Sequence, residues 1–215
     1  MSKTPKVGII DYGLGNIYSV NKACEFLGFK SVVTSKKTDL QNVDAIILPG
    51  VGAFGNAMEN LNKLDIIDTI KKQVNEGKPL LGICLGMQLL MQSSEELGHH
   101  QGIGLINGDV IKFPKKDDQN LKTPQIQWNK ININSSSGNL LKGIPNDTYY
   151  YFLHSYFVRT GNIDVVAATA EYKKIKYCCA IEKDNIFATQ FHPEKSTNQG
   201  LKILNNFKNY INNGK

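Results

Sequence analysis

Leu80-Leu81-Gly82-Ile83-Cys84-Leu85-Gly86-Met87-Gln88 is the segment on which the fold turns. Its unbroken apolar start suits a parallel strand buried on both faces. Cys84 stands where that strand gives way to a helix predicted over 85–91. The pattern Gly-x-Cys-x-Gly has the form of a nucleophile elbow, with sulfur in place of a hydroxyl. A side chain on a sharp strand-to-helix turn needs strained backbone, and small flanking residues let neighbouring segments approach. A helix N-terminus and a nearby imidazolium favour a thiolate over a thiol. The N–H of Leu85 is left free to hold an oxyanion. The plainer alternative is that Cys84 is a small buried hydrophobe in a tight turn.

Outward from this segment the same grammar repeats. Val7-Gly8-Ile9-Ile10 and Ala45-Ile46-Ile47-Leu48 are apolar runs of the same kind. Between them Ile17, Val20, Cys24 and Leu27 form a helical stripe that stops at Gly28. Met58, Leu61, Leu64, Ile67, Ile70 and Val74 form another, ending at Gly77 and Pro79. Strand, helix and strand at this spacing imply right-handed crossovers in a doubly wound sheet. Residues 105–191 are richer in strand signals, including Tyr149–Leu153, Val165–Ala168 and Ile186–Phe191, separated by polar breaks at 115–120 and 134–139. Leu201, Leu204, Phe207 and Ile211 mark a closing amphipathic helix. The expected fold is α/β, a mixed, mostly parallel doubly wound sheet flanked by helices with additional antiparallel strands. With 215 residues, no repeat and no linker, one domain spanning 1–215 is expected.

Composition narrows the function class. The net charge of +6 comes from 25 Lys and Arg against 19 Asp and Glu, but the lysines are scattered in pairs such as Lys36-Lys37 and Lys71-Lys72. Nucleic-acid binding needs a clustered basic face, so none is expected. No basic N-terminus leads into an apolar stretch, and no run of eighteen apolar residues occurs, so the expectation is a cytoplasmic protein without a membrane span. Cys24, Cys84, Cys178 and Cys179 show neither a disulfide framework nor metal-ligand spacing. No metal and no cofactor are expected. Cys24 on its apolar stripe and Cys178-Cys179 within a strand read as core residues.

A thiol nucleophile needs a base. His99-His100 lies in a polar loop, and His154 interrupts an aromatic strand. His192 follows the strand 186–191 directly, in Phe191-His192-Pro193-Glu194. On extended backbone residues i and i+2 share a side, so Glu194 can reach the imidazole, fix its tautomer and stabilise the imidazolium. Taken alone, this is also the pattern of an ordinary surface pair.

Five segments together resemble the class I glutamine amidotransferases, in particular the glutaminase subunits of imidazole glycerol phosphate synthases. They are Ile10-Asp11-Tyr12-Gly13-Leu14-Gly15-Asn16, Leu48-Pro49-Gly50-Val51-Gly52-Ala53-Phe54, Gly82–Leu90, His154-Ser155-Tyr156 and Gln190–Ser196, in family order over nearly the whole chain. The resemblance implies that Cys84 is the nucleophile, His192 the base and acid, and Glu194 its orienter. Gly50, Val51 and Gly52 match the oxyanion strand, acting with Leu85, while Gln88, Glu96, Ser155 and Tyr156 match the glutamine pocket. Gly13-Leu14-Gly15 resembles a dinucleotide loop, but Tyr18 stands where the third glycine belongs.

The implied reaction is hydrolysis of L-glutamine to glutamate and ammonia through a γ-glutamyl thioester. The implied partner is a (β/α)8-barrel synthase, a cyclase subunit receiving the ammonia through a tunnel in a heterodimer. Tyr12, Asn16, Gln125, Trp128 and Lys195 lie in segments that face this partner in the family. One stretch departs from the pattern: Pro-His-Met-Gly-Trp-Asn is replaced by Pro124-Gln125-Ile126-Gln127-Trp128-Asn129. The departure leaves open a paralogous subunit that supplies ammonia to a surface-sugar amidating synthase. A free-standing γ-glutamyl hydrolase and a catalytically silent interaction module are further alternatives.

Overall fold

A computed structural model describes residues 4–114, 122–134 and 138–214. The polar break at 115–120 and residues 135–137 of that at 134–139 lie outside the described residues. The first half winds as β1 (Lys6–Ile10), α1 (Ile17–Phe26), β2 (Lys30–Thr34), α2 (Lys37–Gln41), β3 (Ala45–Gly50), α3 (Phe54–Lys63), α4 (Ile67–Asn75), β4 (Leu80–Cys84) and α5 (Leu85–Leu89). There follow β5 (Ser93–Ser94), β6 (His100–Gln101), β7 (Gly108–Lys112), β8 (Gln125–Ile133), β9 (Tyr149–His154), β10 (Tyr156–Thr160), β11 (Val166–Tyr172), β12 (Ile175–Lys183), β13 (Ile186–Thr189) and α6 (Thr197–Asn213).

The main sheet runs β2-β1-β3-β4-β13-β12-β10-β7-β5-β6, and β11, β8 and β9 branch from β12. Its first five strands are parallel neighbours. The strands contributed by the second half pair mostly antiparallel, so the sheet is mixed, with helices on both sides.

Alternation along the strands explains the double winding. Val7, Ile9, Ala45, Ile47, Leu81 and Ile83 pack on one side with Val20 and Cys24 of α1 and Ile203, Leu204 and Phe207 of α6. Ile10, Ile46, Leu48 and Leu80 pack on the other with Ala57, Met58 and Leu61 of α3 and Ile70 and Val74 of α4. Side chains of a strand alternate between faces, so a continuous apolar run feeds both cores at once.

The stripe from Met58 to Val74 is not one helix. Asp65 takes φ of 53° between α3 and α4. An aspartate visits this left-handed region more readily than most residues, and it breaks the helix without disturbing the apolar spacing. The strand expected over 186–191 ends at Thr189, and Pro193–Lys195 is a turn of 3-10 helix rather than extended chain.

Candidate active site

The carboxyl ends of three parallel strands meet at one place. Gly50 of β3 pairs with Cys84 of β4, and β13 lies on the other side of β4, with Thr189 opposite Ile83. Open α/β sheets bind their ligands at such an edge. Cys84 has φ of 55° and ψ of −109°, a conformation that L-residues rarely adopt. Strain of this kind costs about 1–3 kcal/mol and persists where the surroundings enforce it. The elbow's second glycine is required sterically, because a Cβ on Gly86 would lie 1.8 Å from the carbonyl oxygen of Leu48.

The thiol lies beside a buried imidazole. His192 Nδ1 is 2.8 Å from Glu194 Oε1, with 2% and 1% of the two side chains exposed. Burial lowers the affinity of His192 for its proton, but the charge and hydrogen bonding of the Cys84 sulfur and then the Glu194 carboxylate outweigh it, and the ring is pushed up to about 10. Nε2 of His192 has no well-aligned hydrogen bond, so its contact with sulfur is loose, as is common before a substrate arrives. The Cys84 thiol donates to the Leu153 carbonyl at 3.7 Å, and Gln190 Nε2 donates to the sulfur at 3.7 Å. The backbone holding the imidazole is itself tied down: His192 N–H donates to the Tyr151 carbonyl, and the Ser196 hydroxyl donates to the His192 carbonyl at 2.6 Å.

The other cysteines are inert by comparison. Burial pushes the Cys24 thiol up to about 12, helped by the charges of Glu25 and Glu194, and does the same to Cys178. Burial and the neighbouring Cys178 hold Cys179 well above the ordinary range. His100 is half-buried with its ring 6.5 Å from Phe54. Among the described residues no group of three His, Cys, Asp or Glu is placed to hold a metal ion.

Cys84 opens into a cleft of about 310 Å³. Val51, Gly52, Leu85, Gln88, Glu96, Ser155 and Tyr156 all line it. Glu96 Oε2 accepts from the N–H of Phe54 at 2.7 Å, which anchors its carboxylate at the start of α3. Gln88 Nε2 donates to the Tyr156 carbonyl at 2.9 Å and to Gln190 Oε1 at 3.1 Å. His154 Nδ1 meets the same carbonyl at 2.8 Å. A hydrogen-bonded chain therefore runs from His154 through Tyr156, Gln88 and Gln190 to sulfur. The sequence reading missed Gln190 and the pocket place of His154, because residues far from Cys84 in the chain carry no local mark of their destination.

Two residues expected at a partner surface are buried within this chain. Tyr12 is 3% exposed; its hydroxyl donates to the Pro49 carbonyl at 2.9 Å and would lie 2.2 Å from a Cβ on Gly50. Burial and the charge of Cys84 hold its phenol protonated. Gln125 is wholly buried, its Oε1 accepting from the Tyr177 hydroxyl at 3.0 Å. Both lie beneath the surface rather than on it, because loop and strand residues whose side chains turn inward complete the core. Trp128 is 45% exposed, Lys195 is exposed and Asn16 half-buried. The Lys195 ammonium sits 6.0 Å from the Tyr151 ring, which Trp128 meets edge-on.

A thiol flanked by an imidazole–carboxylate pair and by a strand end rich in glycine is equipped for acyl transfer. The sequence model of the family described as glutamine amidotransferase class-I matches residues 8–210. The chain belongs to the class I glutamine amidotransferases. Among its relatives within this family, imidazole glycerol phosphate synthase subunit HisH of Chlorobaculum tepidum is 44% identical over 204 residues, covering 95% of this chain and 100% of that protein. The protein of the same description from Geobacillus thermodenitrificans is 46% identical over 203 residues, 94% of each chain. Two solved structures share the amidotransferase fold at low identity. PurLQS from Thermotoga maritima matches with a TM-score of 0.74 at 18% identity over 97% of this chain and 100% of that one. A glutamine amidotransferase crystal structure matches with a TM-score of 0.69 at 19% identity, over 94% and 98%.

Proposed function

We propose that this chain is the glutaminase subunit of an imidazole glycerol phosphate synthase, hydrolysing L-glutamine and delivering ammonia to a (β/α)8-barrel cyclase partner in histidine biosynthesis. The observation that carries the chemistry is the placement of the strained Cys84 thiol beside the buried His192–Glu194 pair. The observation that carries the pathway is the identity of 44% and 46%, over nearly full length, to proteins described as subunits of that synthase.

In this reading the Cys84 sulfur attacks the side-chain amide carbon of glutamine. The imidazolium of His192 gives its proton to the departing ammonia, and a γ-glutamyl thioester remains. The neutral imidazole then takes a proton from water, whose oxygen attacks the thioester, and glutamate leaves as the sulfur is restored. Glu194 holds His192 in orientation and stabilises its charge. The tetrahedral oxyanion of each step is met by backbone N–H groups of Leu85 and of the strand Gly50-Val51-Gly52; one such donor is worth about 2.7–4 kcal/mol. Gln88, Glu96, Ser155 and Tyr156 hold the amino-acid end of glutamine. Asn16, Trp128 and Lys195 face the partner. The unit acts as one domain in the cytoplasm and uses neither metal nor cofactor.

A second reading, ammonia supply to a sugar-amidating synthase, rests on the departures at Gln125 and Gln127, the latter exposed beside Trp128. Co-purification of the native chain with its partner separates the two, as does the growth requirement of a deletion strain. Histidine auxotrophy supports the first reading; prototrophy with altered surface sugar supports the second. Ammonia release from glutamine should depend on the partner and vanish in Cys84→Ala with the fold and complex intact. Turnover near wild type in that variant would refute the nucleophile.

A further inference from the structure

Beneath the glutamine pocket two buried nitrogens lack partners. Gln125 and His154 stand directly opposite each other in the β8–β9 register. Their side chains therefore share a face, with Cβ atoms about 5 Å apart. Gln125 is fully buried, and His154 is 6% exposed. The Tyr177 hydroxyl donates to Gln125 Oε1 at 3.0 Å, and Nε2 is left as a donor with nothing to meet. His154 Nδ1 faces the Tyr156 carbonyl. A carbonyl only accepts, so Nδ1 carries the hydrogen, and Nε2 is a bare lone pair, also without a partner. One orphan is purely a donor, the other purely an acceptor. Buried polar groups are nearly always paired.

We propose that Gln125 is a positioning residue for glutamine: its amide donates to Nε2 of His154, directly or through one buried water, and fixes the imidazole in the Nδ1–H form that clamps the Tyr156 carbonyl. This rests on the glutaminase reading and deepens it. Were His154 to carry its hydrogen on Nε2 instead, its bare Nδ1 would face that carbonyl as acceptor against acceptor. Ser155 and Tyr156, which line the cleft, would shift, and the chain through Gln88 and Gln190 to the Cys84 sulfur would slacken. A second proton cannot substitute. Burial first, then the charge of His192, hold the His154 ring at about 4 against the opposing bond to Tyr156. Around the ring stand Phe113, Phe152 and Tyr177, at centroid distances of 5.4, 5.8 and 5.3 Å, and the Tyr177 hydroxyl is already engaged with Gln125.

The test pairs spectroscopy with kinetics. Long-range proton–nitrogen correlation on the 15N-labelled chain should show His154 in the Nδ1–H form, with Nε2 shifted as an accepting lone pair is. In Gln125→Met, which keeps the volume and removes the donor, that Nε2 shift should be lost and the Nε2–H form should gain population. In complex with the synthase partner, KM for glutamine should rise about tenfold, the effect of one hydrogen bond, with kcat changed less than about threefold. An Nε2–H tautomer or a bare Nε2 in the unsubstituted chain overturns the proposal, and that measurement needs no variant to fold. So does a Gln125→Met protein with unchanged tautomer and KM. Absence of glutamine hydrolysis by the unsubstituted complex would instead overturn the glutaminase reading, and the nitrogen spectrum would still decide the hydrogen bond.

Discussion

The carboxylate of Glu194 holds Nδ1 of His192 at 2.8 Å in a pocket closed to water, two residues along a turn whose backbone is not extended. The pair leaves Nε2 as the nitrogen presented to the thiol. Replacing the carboxylate by an amide keeps the shape but removes the charge that stabilises the imidazolium. Glu194→Gln should lower kcat for glutamine about 10²–10⁴-fold, less than Cys84→Ala does. Steady-state ammonia release by the complex measures this, and an unchanged rate would make Glu194 a bystander.

The backbone at Cys84 carries a cost that glycine does not feel. Both Cys84→Ala and Cys84→Gly should be inactive, yet they should differ in stability. Glycine relieves the strain at φ of 55°, partly offset by its greater freedom in the unfolded chain. Urea unfolding should find the glycine variant more stable than the alanine variant by about 1 kcal/mol. Equal stabilities would mean the elbow is relaxed.

Tyr12 reaches from the loop after β1 to the carbonyl that precedes Gly50. Tyr12→Phe leaves the Pro49 oxygen buried without a donor, which should cost about 1–3 kcal/mol in urea unfolding. In the partner complex it should also lower kcat, because the strand of Gly50 to Gly52 loses an anchor beside the sulfur. Loss of stability with unaltered turnover would confine Tyr12 to the core.

Two histidines give the fold opposite dependences on pH. His154 binds its proton at about 4 when folded against about 6.5 when unfolded. The unfolded chain therefore takes up a proton between these values that the native state refuses. Stability should fall as pH drops from 6.5 towards 4, by about 3 kcal/mol in all. His192, raised to about 10, contributes fully below 6.5 and loses its contribution as pH climbs through 10, so the two windows do not overlap. Urea midpoints at pH 7 and 4.5 should differ less in His154→Phe than in the unsubstituted protein; an identical slope would reject the assignment.

Much of this was legible from local pattern. The apolar runs at 7–10, 45–48 and 80–83 became parallel strands, since a strand buried on both sides cannot carry polar residues. The elbow at Cys84 and the His192–Glu194 spacing were visible because each is a short-range constraint. The break at Asp65 was not, because one left-handed residue interrupts a helix without changing its apolar period. The inward turn of Tyr12 and Gln125 was also hidden, since a polar or amphipathic side chain in a loop or edge segment has two destinations and only its neighbours choose.

By itself the sequence determined which residues are chemically able to act: a cysteine between glycines at a strand end, an imidazole and a carboxylate two residues apart. The tertiary structure decided which of them meet. It aligned β3, β4 and β13 so that Gly50, Cys84 and the residues after Thr189 share one edge, and it brought Gln190 to the sulfur and His154 to the pocket. Contacts between residues far apart in the chain depend on strand order and register. Those arise from the packing of two cores on one sheet and leave no mark at any single position.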